Sequence, residues 1–271
     1  MRPHVDPELV ACRAMDSRVH KVSRALGFMA RVDEGAATEV RDWSFGTALI
    51  TPQLPKVWDA SYFRVEDGRA ADGEEVAAEA IAIARDAGLA HAAVVVIDDD
   101  TARRLGPGMG AAEFEESRFV IMALASVPSA PVQDIVELTF GDVAESRRQI
   151  TLELFPGDED LADQLHELDR RLEATVGGRW FGVRQDGEVA SRAWLLARDG
   201  VGQVEDVATS ASRRGRGLAR AVVSAAARAS HGAGNELTFV IADADETTPE
   251  LYRKVGFEPL GYKRRYVKRL T

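Results

Sequence analysis

Two Asp-Gly pairs, Asp186-Gly187 and Asp199-Gly200, punctuate the segments RWFGVRQ, EVASRAWLLAR and VGQVEDVAT. Asp-Gly favours the tight hairpin whose two central residues need positive φ. The pattern therefore predicts an antiparallel meander over 179–209. That excludes the parallel strand-helix-strand start of a dinucleotide-binding fold for this stretch.

The meander runs into VATSASRRGRGLARAVVSAA, a basic, glycine-bearing turn followed by a helix over about 215–231 with Leu218, Val222, Ala226 and Ala229 along one face. Strand NELTFVIAD (235–243), a short helix at TPELYRKVG with Pro249 in its first turn, and FEPLGYKRRYVKRL close the chain. Upstream, Leu161, Leu165, Leu168 and Leu172 mark a helix over 158–176. The first half repeats the order with a helix over 73–88, strand AAVVVIDDD, TARRLGPGMG and FEESRFVIMAL. The Pro- and Ser-rich stretch ALASVPSAPVQDIVE reads as a linker with its boundary near residue 130. The expectation is two mixed α/β halves, 1–127 and 134–271, joined by 128–133.

The chain has 271 residues and a net charge of -10, so as a whole it repels polyanions, and neither nucleic acid nor an anionic membrane is an expected partner. The lone Cys12 permits no disulfide and no cysteine metal cluster; the five histidines lack metal spacing, and no metal is expected. His231 reads as a capping or surface residue. The N-terminus lacks a signal-peptide core and AAVVVI is too short to span a bilayer, which predicts a cytoplasmic protein.

The basic turn can hold a phosphate. A P-loop needs Lys and Ser/Thr after its last glycine, and the dinucleotide fingerprint needs a glycine where Arg220 stands. What remains is simpler. Gly215 and Gly217 let a phosphate approach the backbone, the N–H groups of 215–219 face out of a helix start, and Arg214 and Arg216 add permanent cations. A pyrophosphate suits this cradle.

Arg214-Gly215-Arg216-Gly217-Leu218-Ala219 resembles the Q/R-x-x-G-x-G/A motif of the GNAT superfamily of acyl-CoA N-acyltransferases. ELYRKVGFEPLG (250–261) is similar to the family's closing motif, with Leu251, Tyr252, Lys254, Gly256 and Phe257 in place. Arg103-Arg104-Leu105-Gly106-Pro107-Gly108 matches the first motif by string only, because it precedes strands and Pro107 lacks an amide. The resemblance implies a tandem GNAT-like fold, a central mixed sheet flanked by helices in each half, and acetyl-CoA (or another acyl-CoA) as co-substrate. The acceptor would be a primary amine of a small molecule or peptide, and the protein a monomer or homodimer.

The resemblance further implies a gap between 201–209 and 235–243. There the backbone of Val207, Ala208 and Thr209 would pair with the pantetheine arm, and the amide near Val207 would face an oxyanion. Tyr252 matches the general acid, against the plainer reading of a core tyrosine. Glu205 is the first choice of base and Asp206 the second. Alternation puts Glu205 on one face with Gln203 and Val207, and Asp206 on the other; either can also be a solvated strand carboxylate. Asp243, Asp245 and Glu246 would line the acceptor mouth or be ordinary loop carboxylates, and Asp245 departs from the family's Asn.

In the first half, Asp67-Gly68-Arg69 and then Asp72, Glu74 and Glu75 stand where the cradle belongs, and acidic groups there would repel a pyrophosphate. It is expected to be a degenerate GNAT-like domain that does not bind CoA in the usual way. Trp43, Phe45, Trp58, Tyr62 and Phe63 read as core. Lys263, Arg264, Arg265, Lys268 and Arg269 read as an exposed face whose charges blunt a sheet edge. A non-catalytic acyl-CoA-binding or scaffolding protein is the competing function.

Overall fold

The computed structural model describes residues 7–66 and 72–270. The turn at Asp67-Gly68-Arg69 lies outside the described residues. The first half comprises α1 (Pro7–Ala36), β1 (Glu39–Trp43), β2 (Gly46–Ile50), β3 (Tyr62–Val65), α2 (Gly73–Asp86), β4 (His91–Val96), α3 (Asp99–Ala111) and β5 (Glu115–Leu124). The second comprises β6 (Val136–Leu138), α4 (Phe140–Leu154), α5 (Glu159–Val176), β7 (Arg179–Gln185), β8 (Glu188–Arg198) and β9 (Val201–Thr209). It continues with α6 (Leu218–Gly232), β10 (Leu237–Asp243), α7 (Thr248–Val255) and β11 (Phe257–Arg269).

The meander forms as the Asp-Gly pairs dictate: β7, β8 and β9 pair antiparallel. Asp186 and Asp199 both hold positive φ, 53° and 52°, as the hairpin requires. Helix α4 begins with a capping box in which Thr139 and Asp142 satisfy each other's backbone N–H.

The 11 strands make one sheet in the order β1-β2-β3-β4-β11-β5-β10-β9-β8-β7-β6. The order shows an exchange. β5, the last strand of the first half, lies between β10 and β11; β11, the last of the second, lies between β4 and β5. The pairing reads alike from either side of the β5/β11 seam. β3–β4 and β9–β10 are parallel, while β4–β11 and β5–β10 are antiparallel. Each half thus closes its sheet with the other's strand. The basic run on β11 is accordingly not an edge, because β11 bonds to β4 and β5 along both sides. Its cations are drawn into the molecule: Arg264 meets Asp99 and Glu116, Arg265 meets Asp59, and Lys268 meets Glu113.

Alternation along the strands gives the sheet two apolar faces. One packs against α2, α3, α6 and α7, with Val94, Tyr266, Val204 and Val240 among its buried residues. The other packs against α1, α4 and α5, where Phe28 of α1 meets Phe239 edge-on at 6.0 Å. Helix α1 therefore belongs to the first half by sequence but covers strands of the second. The leucines of α5 return the exchange, since Leu161, Leu165 and Leu168 pack on Leu54, Val57 and Ala60. Trp43 and Phe63 are core, as read from the sequence; Tyr62 is buried too but also lines a cavity.

The second basic string is part of α3 and no turn. Gly108 there lies against Gly73, and a Cβ at Gly73 would come within 2.1 Å of the Leu105 carbonyl. These glycines let α2 and α3 touch; they do not open a cradle. Among the described residues no helix is long and apolar enough to cross a membrane, and no cluster of His, Cys, Asp and Glu is arranged to hold a metal.

Candidate active site

Strands β9 and β10 run parallel from Val201↔Leu237 to Val204↔Val240, and there the pairing stops. Beyond it β9 stays with β8, but the register shifts: Trp194 faces Glu205, while Arg192 faces Ala208. The one extra residue on β9 makes a bulge in which Asp206 takes φ 44°. The Ser191 hydroxyl donates to the Ala208 carbonyl at 3.0 Å and holds the strand beyond the bulge. Val207, Ala208 and Thr209 consequently turn their other edge, the one toward β10, into a gap with no strand partner.

From this gap the chain passes through a short 3₁₀ turn, Ala211–Arg213, into the glycine turn. Gly215 and Gly217 both have φ 75°, a left-handed conformation that glycine adopts without strain. The space over Gly215 is open, with nothing within 4 Å of a Cβ there, and a Cβ at Gly217 would meet only Gln133 Nε2 at 3.7 Å. Gly217 caps α6, which has no side-chain cap and no acidic residue in its first turn. Its leading N–H groups are left for an anion. Arg214 and Arg216 are exposed, anchored by single bonds to the carbonyls of Thr209 (3.2 Å) and Ser212 (3.3 Å). Arg213 instead pairs with Asp186 at 2.6 Å. Leu218 is buried and pins the turn to the core, and Ala219 is half-buried, so these two residues have only backbone to offer a ligand.

The start of α2 contrasts with this. Asp72 accepts from the amides of Glu74 (2.7 Å) and Glu75 (3.1 Å). That helix start is already satisfied and carries carboxylates, which disfavours a phosphate.

Tyr252 is buried on α7, edge-on to Phe257 at 6.1 Å. Burial first, then the Glu205 carboxylate, pushes its phenol well above the ordinary value, so the hydroxyl keeps its proton at neutral pH. Helix α7 ends at Gly256 with φ 109°, where a Cβ would lie 2.6 Å from the Ser126 carbonyl. The Gly-Phe of the closing motif is thus the point where α7 meets the end of β5.

On the α1 side of the sheet lies a cavity of about 840 Å³, lined by residues of both halves. Glu205 and Gln203 are in its wall; the Gln203 amide donates to Glu205. Burial pushes the Glu205 carboxyl up to about 7, against the opposing effects of Gln203 and of Lys263. Across from it Asp33 of α1 accepts from the Tyr62 hydroxyl at 2.5 Å, and burial raises it to about 6. Asp243 lines the cavity too, whereas Asp245 is exposed, its amide donating to Asp243 at 2.9 Å.

Asp206 differs from Glu205 in kind. The bulge breaks alternation, so Asp206 turns toward α4 and α5 instead of to the opposite face. There it is held by Arg147 and by Arg192 Nε at 2.7 Å. These two guanidiniums hold its carboxyl below the usual range in spite of burial. Arg147 also pairs with Asp169 of α5. Asp33, Tyr62, Gln203 and Lys263 carry no functional reading in the sequence. The one available signal for them is Asp33, a carboxylate in line with the apolar positions Val22, Leu26, Met29 and Ala30 of α1.

Residues 180–267 match the family model described as FR47-like protein. No curated protein matches the sequence at a significant level. Among solved structures, a GCN5-related N-acetyltransferase from Kribbella flavida is 18% identical over 96% of this chain and 95% of that chain, with a TM-score of 0.60. A functionally unknown conserved protein from Staphylococcus epidermidis matches over 87% of this chain and 95% of that chain at 10% identity, TM-score 0.63. A tandem GNAT protein from the clavulanic acid biosynthesis pathway covers 76% of this chain and 74% of that chain at 16% identity, TM-score 0.50. At these identities the likeness is one of fold.

Proposed function

For a chain of tandem GNAT fold whose residues 180–267 form an FR47-like domain, we propose an acetyl-CoA-dependent N-acetyltransferase acting on a primary amine. The observation that carries this reading is the gap between β9 and β10, which has an uncapped glycine turn at one end and the Glu205 carboxylate in the cavity wall beside it.

The pocket chemistry fits the donor. Gly215 and Gly217, the first amides of α6 and the guanidiniums of Arg214 and Arg216 would hold the pyrophosphate, and the free edge of Val207–Thr209 the pantetheine amides. Bound acetyl-CoA supplies an electrophilic thioester carbonyl. An alkylammonium with pKa about 10.4 is neutral about one time in a thousand near pH 7.4. Glu205, half ionised near neutrality, takes the ammonium proton onto its carboxylate oxygen. The neutral amine then forms the C–N bond to the thioester carbonyl as the C–S bond breaks. Tyr252, which keeps its phenolic proton, would donate it to the departing sulfur and recover one from the acylated nitrogen, which sheds its second proton. Asp206, spent on two arginines, is excluded from the base role in this proposal. The first half, whose α2 start is capped by Asp72, takes no second CoA and serves the acceptor side.

Thiol release from acetyl-CoA across a panel of primary amines tests the proposal. Amine-dependent release that drops about 10²–10⁴ in Tyr252→Phe is expected. Tight CoA binding with no turnover on any amine would instead favour an acyl-CoA-binding scaffold.

A further inference from the structure

The cavity's own residues say more about what enters it. Its charged groups sort by partner. Arg64 is engaged by Glu34 and Glu66, and Arg265 by Asp59. That leaves Asp33, Glu205 and Asp243 as wall carboxylates with no ion pair, against one cation, Lys263, which also forms none among the described residues. Lys263 reaches the field of both Asp33 and Glu205 while its ammonium lies over the Phe119 ring at 5.3 Å. Lys263 offsets one carboxylate and Glu205 is only half ionised near neutrality, so the cavity carries a surplus close to a single negative charge.

The rest of the wall is apolar. Leu26, Met29 and Ala30 of α1, Leu172 of α5, Val95 of β4 and Ile241 of β10 face the same space. A cavity near 840 Å³ lies within the size range of pockets that enclose a whole organic ligand and is well beyond the needs of a lone amino group. A carboxylate on the acceptor would be repelled by the surplus anions. A second ammonium would have to shed water against aliphatic wall without a guaranteed partner.

On the reading that this is an N-acetyltransferase, we infer that the cavity between the halves is the acceptor site and takes a monocationic primary amine with an apolar body, an arylalkyl or alkyl amine. The ammonium sits among Glu205, Asp33 and Asp243, and the body lies along α1. The first half is then the specificity element of the site, through Asp33, held by Tyr62, and through the α1 wall.

Two matched pairs of acceptors isolate the two claims. Phenethylamine and phenylalanine differ by one carboxylate; hexylamine and 1,6-diaminohexane differ by one ammonium. With the full chain and saturating acetyl-CoA, kcat/KM is expected to be at least about tenfold higher for the first member of each pair, a difference of about 1.4 kcal/mol. Gly27 on α1 lines the cavity, and a Cβ there meets only Arg31 Nη1 at 3.7 Å. Gly27→Leu therefore fills the space while improving helix propensity, and should raise KM for phenethylamine about tenfold with the acetyl-CoA dissociation constant unchanged. Failure to bind acetyl-CoA would sink the parent reading. Acetyl-CoA binding together with preference for phenylalanine or the diamine, with no turnover of phenethylamine, or with Gly27→Leu leaving KM unmoved, would overturn the cavity assignment alone.

Discussion

Arg192 donates from Nε to Asp206 at 2.7 Å, and the residue it holds is a strand aspartate with φ 44°. Arg147 grips the same carboxylate from α4. The pair of arginines fixes the β9 bulge from two sides, and the bulge is what parts β9 from β10.

Asp206→Ala would leave two buried guanidiniums without their shared anion, with Arg192 only 2% exposed. A loss of about 3–5 kcal/mol in unfolding free energy is expected, read by urea denaturation. Retained stability with a hundredfold loss of rate would instead mark Asp206 as the base.

As the proposed base, Glu205 would set the pH dependence. Its carboxyl, raised to about 7, is neutral below that pH and cannot accept a proton; above it the carboxylate is available. The rate should rise through an apparent pKa near 7 and stay level into the alkaline range, since Tyr252 is raised and remains protonated there. Glu205→Gln should lower kcat by about 10²–10⁴ and abolish the rise.

The same carboxyls shape stability. Asp33 and Glu205 are raised in the fold to about 6 and about 7, above their values near 4 in the unfolded chain. Their contribution is complete below about pH 4 and is lost as pH rises through 6 to 7. The Tm should fall between pH 5 and pH 8, and Asp33→Asn with Glu205→Gln should flatten that fall; an unchanged slope would refute the assignment.

The donor turn predicts a clean separation of binding from folding. Arg214 is exposed with one backbone bond, so Arg214→Glu should keep the Tm within about a degree or two while raising the acetyl-CoA dissociation constant about tenfold or more. Isothermal titration calorimetry decides it, and unchanged affinity would refute the cradle.

Cutting the chain within 128–133 should yield two fragments that aggregate alone. Each loses the strand inserted into it and bares the edges of β4 and β5, or of β10 and β11. Co-expressed, they should assemble one-to-one; a soluble, folded 134–271 fragment by itself would contradict the exchanged topology.

What the sequence discloses here is local. Asp-Gly turns, the glycine turn before α6 and the helix bearing Tyr252 depend on a few adjacent residues, and each of these local structures forms as read. The exchange of β5 and β11 is invisible because both read as ordinary closing strands, and only tertiary packing selects their neighbours. The same blindness misreads Lys263 as an edge charge and Tyr62 as plain core. Asp206 defeats strict alternation, since nothing in VEDVA announces a bulge. Helix α4 does leave a signal in Thr139 and Asp142, the two ends of its capping box.

The crossing of β5 and β11 also has a genetic consequence. Two copies lying side by side after a duplication can each be deleted without harm to the other. Once their closing strands have traded places, deletion of either removes a strand from its neighbour. The trade works as a ratchet: neither half can be discarded, whatever either has lost, and each is left free to specialise.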